Sequence, residues 1–301
     1  MEYETPNNLY HYCSLSTFYN IIKNQSIWVS DLRKSNDFLE IVWLRQLFEH
    51  KMNEEFNKFI PKVPANSLDQ FIEMRRNISE SFRIEFSKTW AFCLSEEKDL
   101  LSQWRGYADN GSGISIGFKG DFLDKLCTLY TSPYKNPKAT IFFDKVSYSK
   151  EEAINCIDYE TCLLECSNCN SISDFKITIC RAMTEIGKEA PFFKNPAFIE
   201  EKEWRIVITF LMDNFSGADL SGYNSTDVEF GNLDYIVSNN KLVSHFEIKF
   251  PNIKNAISEI VIGPKCTESI VDIKHFLITL GVIANMDDKS IKITKSQASY
   301  R

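Results

Sequence analysis

The sequence lacks the features of a membrane-spanning, secreted or flexible chain. No stretch approaches the roughly 20 consecutive apolar residues that a membrane-spanning helix requires. The first twelve residues, MEYETPNNLYHY, contain neither the basic nor the apolar segment of a secretory signal. Only 11 glycines and 9 prolines occur in 301 residues, so no flexible linker is evident. We therefore expect a globular cytoplasmic protein that does not contact membranes.

Positive charge is also scarce. The chain has 34 Lys and Arg residues against 41 Asp and Glu residues, which gives a formal net charge of −7. Non-specific nucleic-acid binding needs a positive field over the phosphates, so this class of function is disfavoured, although a locally basic groove stays open. The nine cysteines are an odd number in a chain without a signal segment, and we expect reduced thiols.

The hydrophobic pattern predicts an α+β fold. Hydrophobic residues make up 44% of the chain, enough for one large core. Helices are predicted after Ser14 or Ser16, over 40–87 with a break at Pro61 and Pro64, and over 267–280. Strands are predicted over 9–13, 27–30, 90–94, 113–118, 142–149, 235–237, 246–250, 257–262 and 290–293, and within 198–211 after its acidic cluster. We predict one α+β domain over residues 1–301, a mixed β-sheet core interrupted by helical segments, with a mostly helical insertion at about 121–190.

Polar and aromatic residues gather between two predicted strands, in FCLSEEKDLLSQWRGYADNGSGISIGF (residues 92–118). The first strand breaks at Ser95, and a helical turn then carries Asp99, Trp104 and Tyr107. Because open sheets usually bind ligands at strand ends, we expect a site here. Trp104 and Tyr107 would share a helix face, so core packing is the alternative interpretation for Trp104.

His11 lies on the first predicted strand between Tyr10 and Tyr12. A ring with hydrogen-bonding nitrogens beside stacking surfaces suits a ribose and a nicotinamide or adenine ring. The alternative is an ordinary strand histidine that is hydrogen-bonded to a neighbour.

Three glutamates, Glu200, Glu201 and Glu203, precede or begin a strand that also carries Arg205. Glu203 is preferred for function because its place in the strand fixes its direction, on the same face as Arg205. Such a carboxylate can stabilise a developing cation or act as a general base. The alternative is a solvated acidic turn followed by a salt bridge on the strand.

Four cysteines have spacing that suggests a metal site. Cys162, Cys166 and Cys169 show the C-x3-C-x2-C pattern of radical iron–sulfur enzymes, and with Cys156 they could hold zinc. They lie in a predicted helical insertion without the preceding strand that such enzymes use, and we expect no metal site.

Four blocks of the chain resemble a bacterial family that is known only as a domain of unknown function. The blocks are LYHYCSLSTFYNIIKNQSIWVSDLRKSNDFLE, FCLSEEKDLLSQWRGYADNGSGISIGF, FIEEKEWRIV, and ISEIVIGP with its following helix and ITKSQASY. They cover nearly the whole chain in order. Family members often read Asn-Asp-Pro where this chain has Asn36-Asp37-Phe38.

The first block also resembles the opening of ADP-ribosyltransferase folds. In those enzymes a histidine on the first strand binds the ribose of NAD, a second strand carries a serine or tyrosine, and a late strand supplies a glutamate. The resemblance implies that His11, Ser95 and Glu203 fill these places, with His11 and Glu203 in the catalytic role.

The same resemblance implies an NAD-binding site, in which Tyr12 and Tyr107 are candidates to stack on the nicotinamide, although no motif fixes that choice. We add Trp104 to the candidate cofactor-binding residues and expect no metal. The implied activity is transfer of ADP-ribose to a protein or nucleic-acid acceptor, or hydrolysis of NAD. Such enzymes are commonly bacterial toxins or antiphage effectors. The alternative function is a non-catalytic binding or regulatory module of the same fold.

Overall fold

A ten-stranded mixed sheet forms the centre of the chain in the computed structural model, which describes residues 4–34, 38–63, 89–128, 139–156, 158–168, 189–210, 224–238 and 240–300, and isolated positions between them. The strands are β1 (Asn8–Cys13), β2 (Ser26–Asp31), β3 (Thr89–Ser95), β4 (Ile114–Lys119), β5 (Ala139–Lys145), β6 (Glu203–Phe210), β7 (Glu229–Ser238), β8 (Lys241–Lys249), β9 (Ile257–Ile262) and β10 (Lys292–Lys295). The helices are α1 (Leu15–Asn24), α2 (Phe38–Phe59), α3 (Leu101–Tyr107), α4 (Gly120–Thr128), α5 (Lys150–Asn155), α6 (Tyr159–Ser167) and α7 (Ile270–Thr279). This arrangement confirms the predicted α+β class.

The sheet follows the order β10-β9-β4-β1-β3-β2-β8-β7, and β6 adds to β3 with β5 as its outer partner. The pairings are antiparallel except for β10 with β9. Within the segment 121–190, which was predicted to be mostly helical, α4, α5 and α6 are helices and β5 joins the sheet.

Strand β3 has partners on both sides, but only one side is paired along its whole length. On that side every residue from Thr89 to Ser95 is opposite a residue of β6. On the other side Ser95 pairs with Tyr10 of β1, while Trp90 and Ala91 pair with β2 at the far end. Strands β1 and β2 therefore diverge from the middle of β3, and the sheet is split there.

Helix α1 links the two diverging strands and forms as its sequence predicts. The side chain of Ser14 caps the helix by accepting a hydrogen bond from the backbone N–H of Thr17 at 3.0 Å. Gln25 ends it in a left-handed conformation with a φ of 51°. Phe18 and Ile22 are buried in the core beside the sheet, so α1 holds β1 and β2 against one apolar cluster.

A second apolar cluster lies apart from the core beside the sheet. Phe48 and Met52 of α2 belong to it, together with Ala153 of α5 and Leu163 and Cys166 of α6. These helices therefore form a layer with its own core. Among the described residues, no helix combines the length and the apolar content that crossing a lipid bilayer requires.

The predicted helical segment 40–87 is confirmed in its first part. Helix α2 ends before a 3-10 turn at Ile60–Lys62, and this turn contains Pro61, whose missing N–H ends an α-helix. Residues 35–37 and 74–88 lie outside the described part of the chain, and they include most of the Asn-Asp-Phe sequence.

The hairpin of β7 and β8 is longer than predicted, since the sequence pattern indicated only 235–237 and 246–250. Gly231, Asn232 and Asp234 have low strand propensity, so the pattern marks only the apolar end of β7. Pairing with β8 supplies the hydrogen bonds that local propensity does not predict.

We expect Gly113→Ala to lower the free energy of unfolding by roughly 1–3 kcal/mol, the usual cost of overpacking. A Cβ atom at Gly113 would overlap the carbonyl oxygen of Cys13 and would lie 3.0 Å from the Cα of Ala108. Urea unfolding measures the change. Gly106→Ala is the matched control because nothing lies within 4 Å of its Cβ position. Equal stability of the two variants would contradict the close approach of β1 to the start of β4.

Candidate functional site

The split between β1 and β2 opens into a cavity of about 220 Å³, which we call the cleft. Its lining includes His11, Tyr12, Tyr107, Glu201 and Glu203. Four of these five residues were predicted from the sequence as site residues, and they come from β1, from α3 and from the start of β6. A second cavity of about 280 Å³ adjoins the cleft, because four of its lining residues also line the cleft: His11, Trp28, Ser30 and Phe92.

The ring of His11 is held in one orientation. It stacks on Phe92 with the ring centroids 4.3 Å apart, and its Nδ1 lies 3.0 Å from the carbonyl oxygen of Cys93. A carbonyl oxygen only accepts hydrogen bonds, so Nδ1 carries the proton of the neutral ring and Nε2 is an acceptor. Cys93 lies in the middle of β3, where neither β1 nor β2 pairs with the side of the strand opposite β6. The split in the sheet thus fixes the tautomer of His11.

Burial also keeps His11 neutral. It lowers the pKa of the imidazole from the ordinary value of 6.5 to about 4, although the hydrogen bond to the Cys93 carbonyl partly opposes this shift. Near neutral pH the ring therefore has one donor, the Nδ1 proton that the Cys93 carbonyl accepts, and one acceptor, Nε2.

Four charged side chains form a buried ion cluster beside the cleft: Lys194, Glu201, Glu203 and Arg205. The Nζ of Lys194 donates to Glu201 at 2.7 Å and to Glu203 at 3.0 Å. The guanidinium of Arg205 donates two hydrogen bonds to the Glu203 carboxylate, from Nε at 2.7 Å and from a terminal nitrogen at 2.9 Å. Two carboxylates and two cations balance in formal charge, which allows all four to be buried.

The carboxyl of Glu203 stays ionised in this cluster. Burial raises its pKa, but the charges of Arg205 and Lys194, with hydrogen bonds from Arg205 and the Cys93 side chain, outweigh burial and lower the pKa to about 2. A group with such a pKa takes up a proton poorly near neutral pH. Of the two roles considered for Glu203, stabilisation of a cation therefore fits the geometry better than general-base catalysis.

The aromatic residues predicted for the site occupy different positions. Tyr12 lines the cleft, and its hydroxyl donates to the Glu97 carbonyl at 2.7 Å and accepts from the Leu100 N–H at 2.9 Å. Tyr107 also lines the cleft and is 37% exposed, with its hydroxyl 3.4 Å from Glu201. Trp104 is fully buried and does not line the cleft; its ring packs edge-on against Tyr12.

Asp99, which precedes α3, anchors Trp104. Its carboxylate accepts from the indole N–H of Trp104 at 2.7 Å and from the backbone N–H of Gln297 at 2.7 Å. The carboxylate thereby joins α3 to the segment after β10. This segment and Trp104 together support the Tyr12 side of the cleft.

Ser95 lies beside the other predicted residues in the sheet, but its hydroxyl is used within the fold. Across three neighbouring strands, Tyr10 pairs with Ser95 and Ser95 pairs with Glu203. The Ser95 hydroxyl donates to the Glu201 carbonyl at 2.6 Å and accepts from the Glu97 N–H at 3.1 Å. Ser95 is buried and is not among the residues that line the cleft.

Sequence reasoning missed several residues of this region, among them Trp28, Gln103 and Lys194. Trp28 lines both cavities and is 38% exposed. In the sequence it cannot be distinguished from any other aromatic residue on a strand. Gln103 lines the cleft one residue before Trp104. Lys194 is 1% exposed, and the only sequence signal for its role is its closeness to the acidic cluster.

The cysteines of the C-x3-C-x2-C pattern lie away from the cleft. Cys162 and Cys166 are buried in the helical layer on successive turns of α6, while Cys156 is exposed. Within the described ranges, no group of three or more His, Cys, Asp or Glu side chains is arranged to hold a metal ion. Cys169 lies outside those ranges.

Part of the chain matches a known family model. Residues 103–206 match a family that is described as "Protein of unknown function (DUF2971)". This segment runs from α3 to β6 and includes Tyr107, Glu201 and Glu203, while β1 and His11 precede it. No curated protein and no solved structure matches the chain. The match supports the predicted resemblance to a family of unknown function.

We expect the stability of the protein to fall as the pH drops from about 6.5 towards 4, in part because of His11. The unfolded chain protonates this imidazole near its ordinary pKa, whereas the folded chain resists protonation until about pH 4. In His11→Gln this contribution is absent, so the variant should lose less stability over the same range. Urea unfolding of both proteins at several pH values measures the difference, and parallel curves would contradict a His11 ring that stays neutral in the folded protein.

Proposed function

We propose that the cleft binds NAD and cleaves the bond between nicotinamide and ribose, passing ADP-ribose to water or to a macromolecular acceptor. The observation that carries this proposal is the convergence of His11, Tyr12, Tyr107 and Glu203 on one cavity at the split in the sheet. The resemblance of the first sequence block to ADP-ribosyltransferase folds supports the same activity.

His11 would hold the ribose next to the nicotinamide. Its Nδ1 proton is engaged by the Cys93 carbonyl, so Nε2 is ready to accept a hydrogen bond from a ribose hydroxyl. The stacked ring of Phe92 limits rotation of the imidazole. An orientation fixed before binding lowers the entropy cost of placing the sugar.

Glu203 would act through its negative charge. When the C1′–N bond breaks, the electron pair leaves with nicotinamide, which departs as a neutral molecule, and C1′ of the ribose becomes cationic. A carboxylate that stays ionised stabilises this charge. The Cys93 thiol, a weak donor that hydrogen-bonds Glu203, can be replaced there by a ribose hydroxyl. The bond to C1′ is then formed by an oxygen or other nucleophile of the acceptor, whose proton passes to solvent.

Aromatic side chains would enclose the reacting end of the ligand. Tyr12 is fixed by its two hydrogen bonds, and Tyr107 is partly exposed above Glu201. Such walls exclude water and stack on planar rings. Tyr107 is the better candidate for contact with nicotinamide because its ring is still 37% exposed.

One observation favours a second function, a non-catalytic module that binds the nucleotide. Both oxygens of Glu203 already accept hydrogen bonds from Arg205, and Lys194 adds a third. Two nearby cations reduce the net negative potential that a cationic ribose would meet. Binding of NAD without release of nicotinamide would identify this second function.

We expect wild-type protein to bind NAD in a calorimetric titration and to release nicotinamide in a chromatographic assay. Glu203→Gln should lower the release rate by about 100-fold or more, the usual effect of losing a preorganised electrostatic group. Glu200→Gln is the matched control because Glu200 is exposed on the 3-10 helix Pro196–Glu201, which directly precedes β6.

Loss of Glu203 leaves two buried cations with one carboxylate, so circular dichroism and thermal unfolding must show that the variant folds. Tyr107→Ala provides a second probe, because its partly exposed ring is less important for folding; we expect it to weaken NAD binding. Wild-type turnover in Glu203→Gln, or no binding of NAD to the wild-type protein, would overturn the proposal.

A further inference from the structure

The second cavity has a polar wall on one side, which α1 supplies. Thr17, Asn20 and Asn24 line this cavity, and their spacing of three and four residues places them on one face of the helix. Phe18 and Ile22 are instead buried in the core. Helix α1 therefore has a buried face that holds the sheet and a polar face that meets the cavity.

This cavity offers hydrogen-bonding groups without formal charge. Among the described residues, those that line it include no Lys, Arg, Asp or Glu. Ser26 also lines it, and the Ser26 hydroxyl donates to the Glu247 carboxylate at 2.8 Å. This acid, next to the wall of the cavity, would repel a phosphate group placed there. The cavity thus favours a neutral polar ligand group.

Trp28 stands where the second cavity meets the cleft, and its indole is supported from behind. The ring of His245 packs on it, with centroids 4.2 Å apart and an interplanar angle of 34°. His245 is 3% exposed, whereas Trp28 is 38% exposed. A buried ring thus backs a more exposed one, which creates a firm stacking surface beside uncharged amides.

We infer that the second cavity binds the adenosine half of the dinucleotide, with adenine stacked on Trp28 and its edge hydrogen-bonded by Asn20 and Asn24. This inference rests on the proposed function, in which the cleft holds the nicotinamide ribose. An asparagine amide presents a donor and an acceptor side by side, which matches the N6 and N7 edge of adenine.

The same arrangement selects against a phosphorylated adenosine. The lining described here contains no cation that could neutralise a 2′-phosphate, and Glu247 lies nearby. Moving a phosphate into such a site without a charged partner is costly. The protein therefore binds NAD in preference to NADP.

Calorimetric titration with adenosine, which carries neither nicotinamide nor phosphate, tests this subsite directly. We expect wild-type protein to bind adenosine, and Trp28→Leu and Asn20→Ala each to weaken that binding by about tenfold, as expected for loss of base stacking or of a bidentate contact. Trp28→Phe should keep most of the affinity. Ser16→Ala is the control, because Ser16 is exposed on α1 and lies outside both linings.

Two further ligands complete the test. Nicotinamide mononucleotide should bind the Asn20→Ala variant as tightly as wild type, because Asn20 lines the second cavity and not the cleft, and NAD should bind wild type at least about tenfold more tightly than NADP. Absence of adenosine binding, unchanged affinity in both variants, or equal affinity for NAD and NADP would overturn the inference.

The outcome is separable from that of the proposed function. If adenosine binding depends on Trp28 and Asn20 but nicotinamide is not released from NAD, the subsite stands and the cleavage activity fails. If nicotinamide is released in a Glu203-dependent reaction but the affinity for adenosine is unchanged in both variants, the inferred subsite is wrong and the proposed activity is supported.

Discussion

The candidate site depends on the unequal pairing of β3. One side of this strand pairs with β6 along its full length, while β1 and β2 each reach only one end of the other side. The middle of β3 therefore faces a gap, and the cleft opens in that gap. Both cavities take lining residues from β1, β2 and β3. A sheet with ordinary pairing throughout would leave no room for a ligand here.

Polar contacts fix the functional groups that the split in the sheet places at the cleft. The carbonyl of Cys93 finds a partner in His11, which sets the tautomer of that ring. On the β6 side, Lys194 and Arg205 hold Glu203 ionised within the protein. The cleft thus carries a neutral acceptor on one side and a fixed carboxylate on the other. This asymmetry suits a ligand whose sugar becomes cationic while its base leaves without charge.

Much of the fold could be predicted from the sequence, because the relevant signals are local. The cap at Ser14, the break at Pro61 and the period-two pattern of β6 each follow from neighbouring residues. The length of the β7–β8 hairpin depends on pairing between the two strands. The local pattern does not contain this information, so the predicted strands were too short.

The site was predictable where a residue stands out within its own strand or helical turn. His11 between two tyrosines and Glu203 beside Arg205 have such local signals, and both lie at the cleft. The buried partner Lys194 and the inward hydroxyl of Ser95 depend on how the 3-10 helix before β6 folds back, which no spacing shows. The ring of Trp28 lines a cavity only because the sheet is split, and the sequence does not show this split.

The most direct test of the account is a crystal structure of the wild-type protein with ADP-ribose, the group that remains when nicotinamide leaves NAD. The account predicts the ribose that carried nicotinamide in the cleft, with a hydroxyl hydrogen-bonded to Nε2 of His11 and its C1′ facing Glu203. An empty cleft at saturating ADP-ribose, or ligand bound elsewhere on the protein, would contradict the central claim that the split sheet is a nucleotide site.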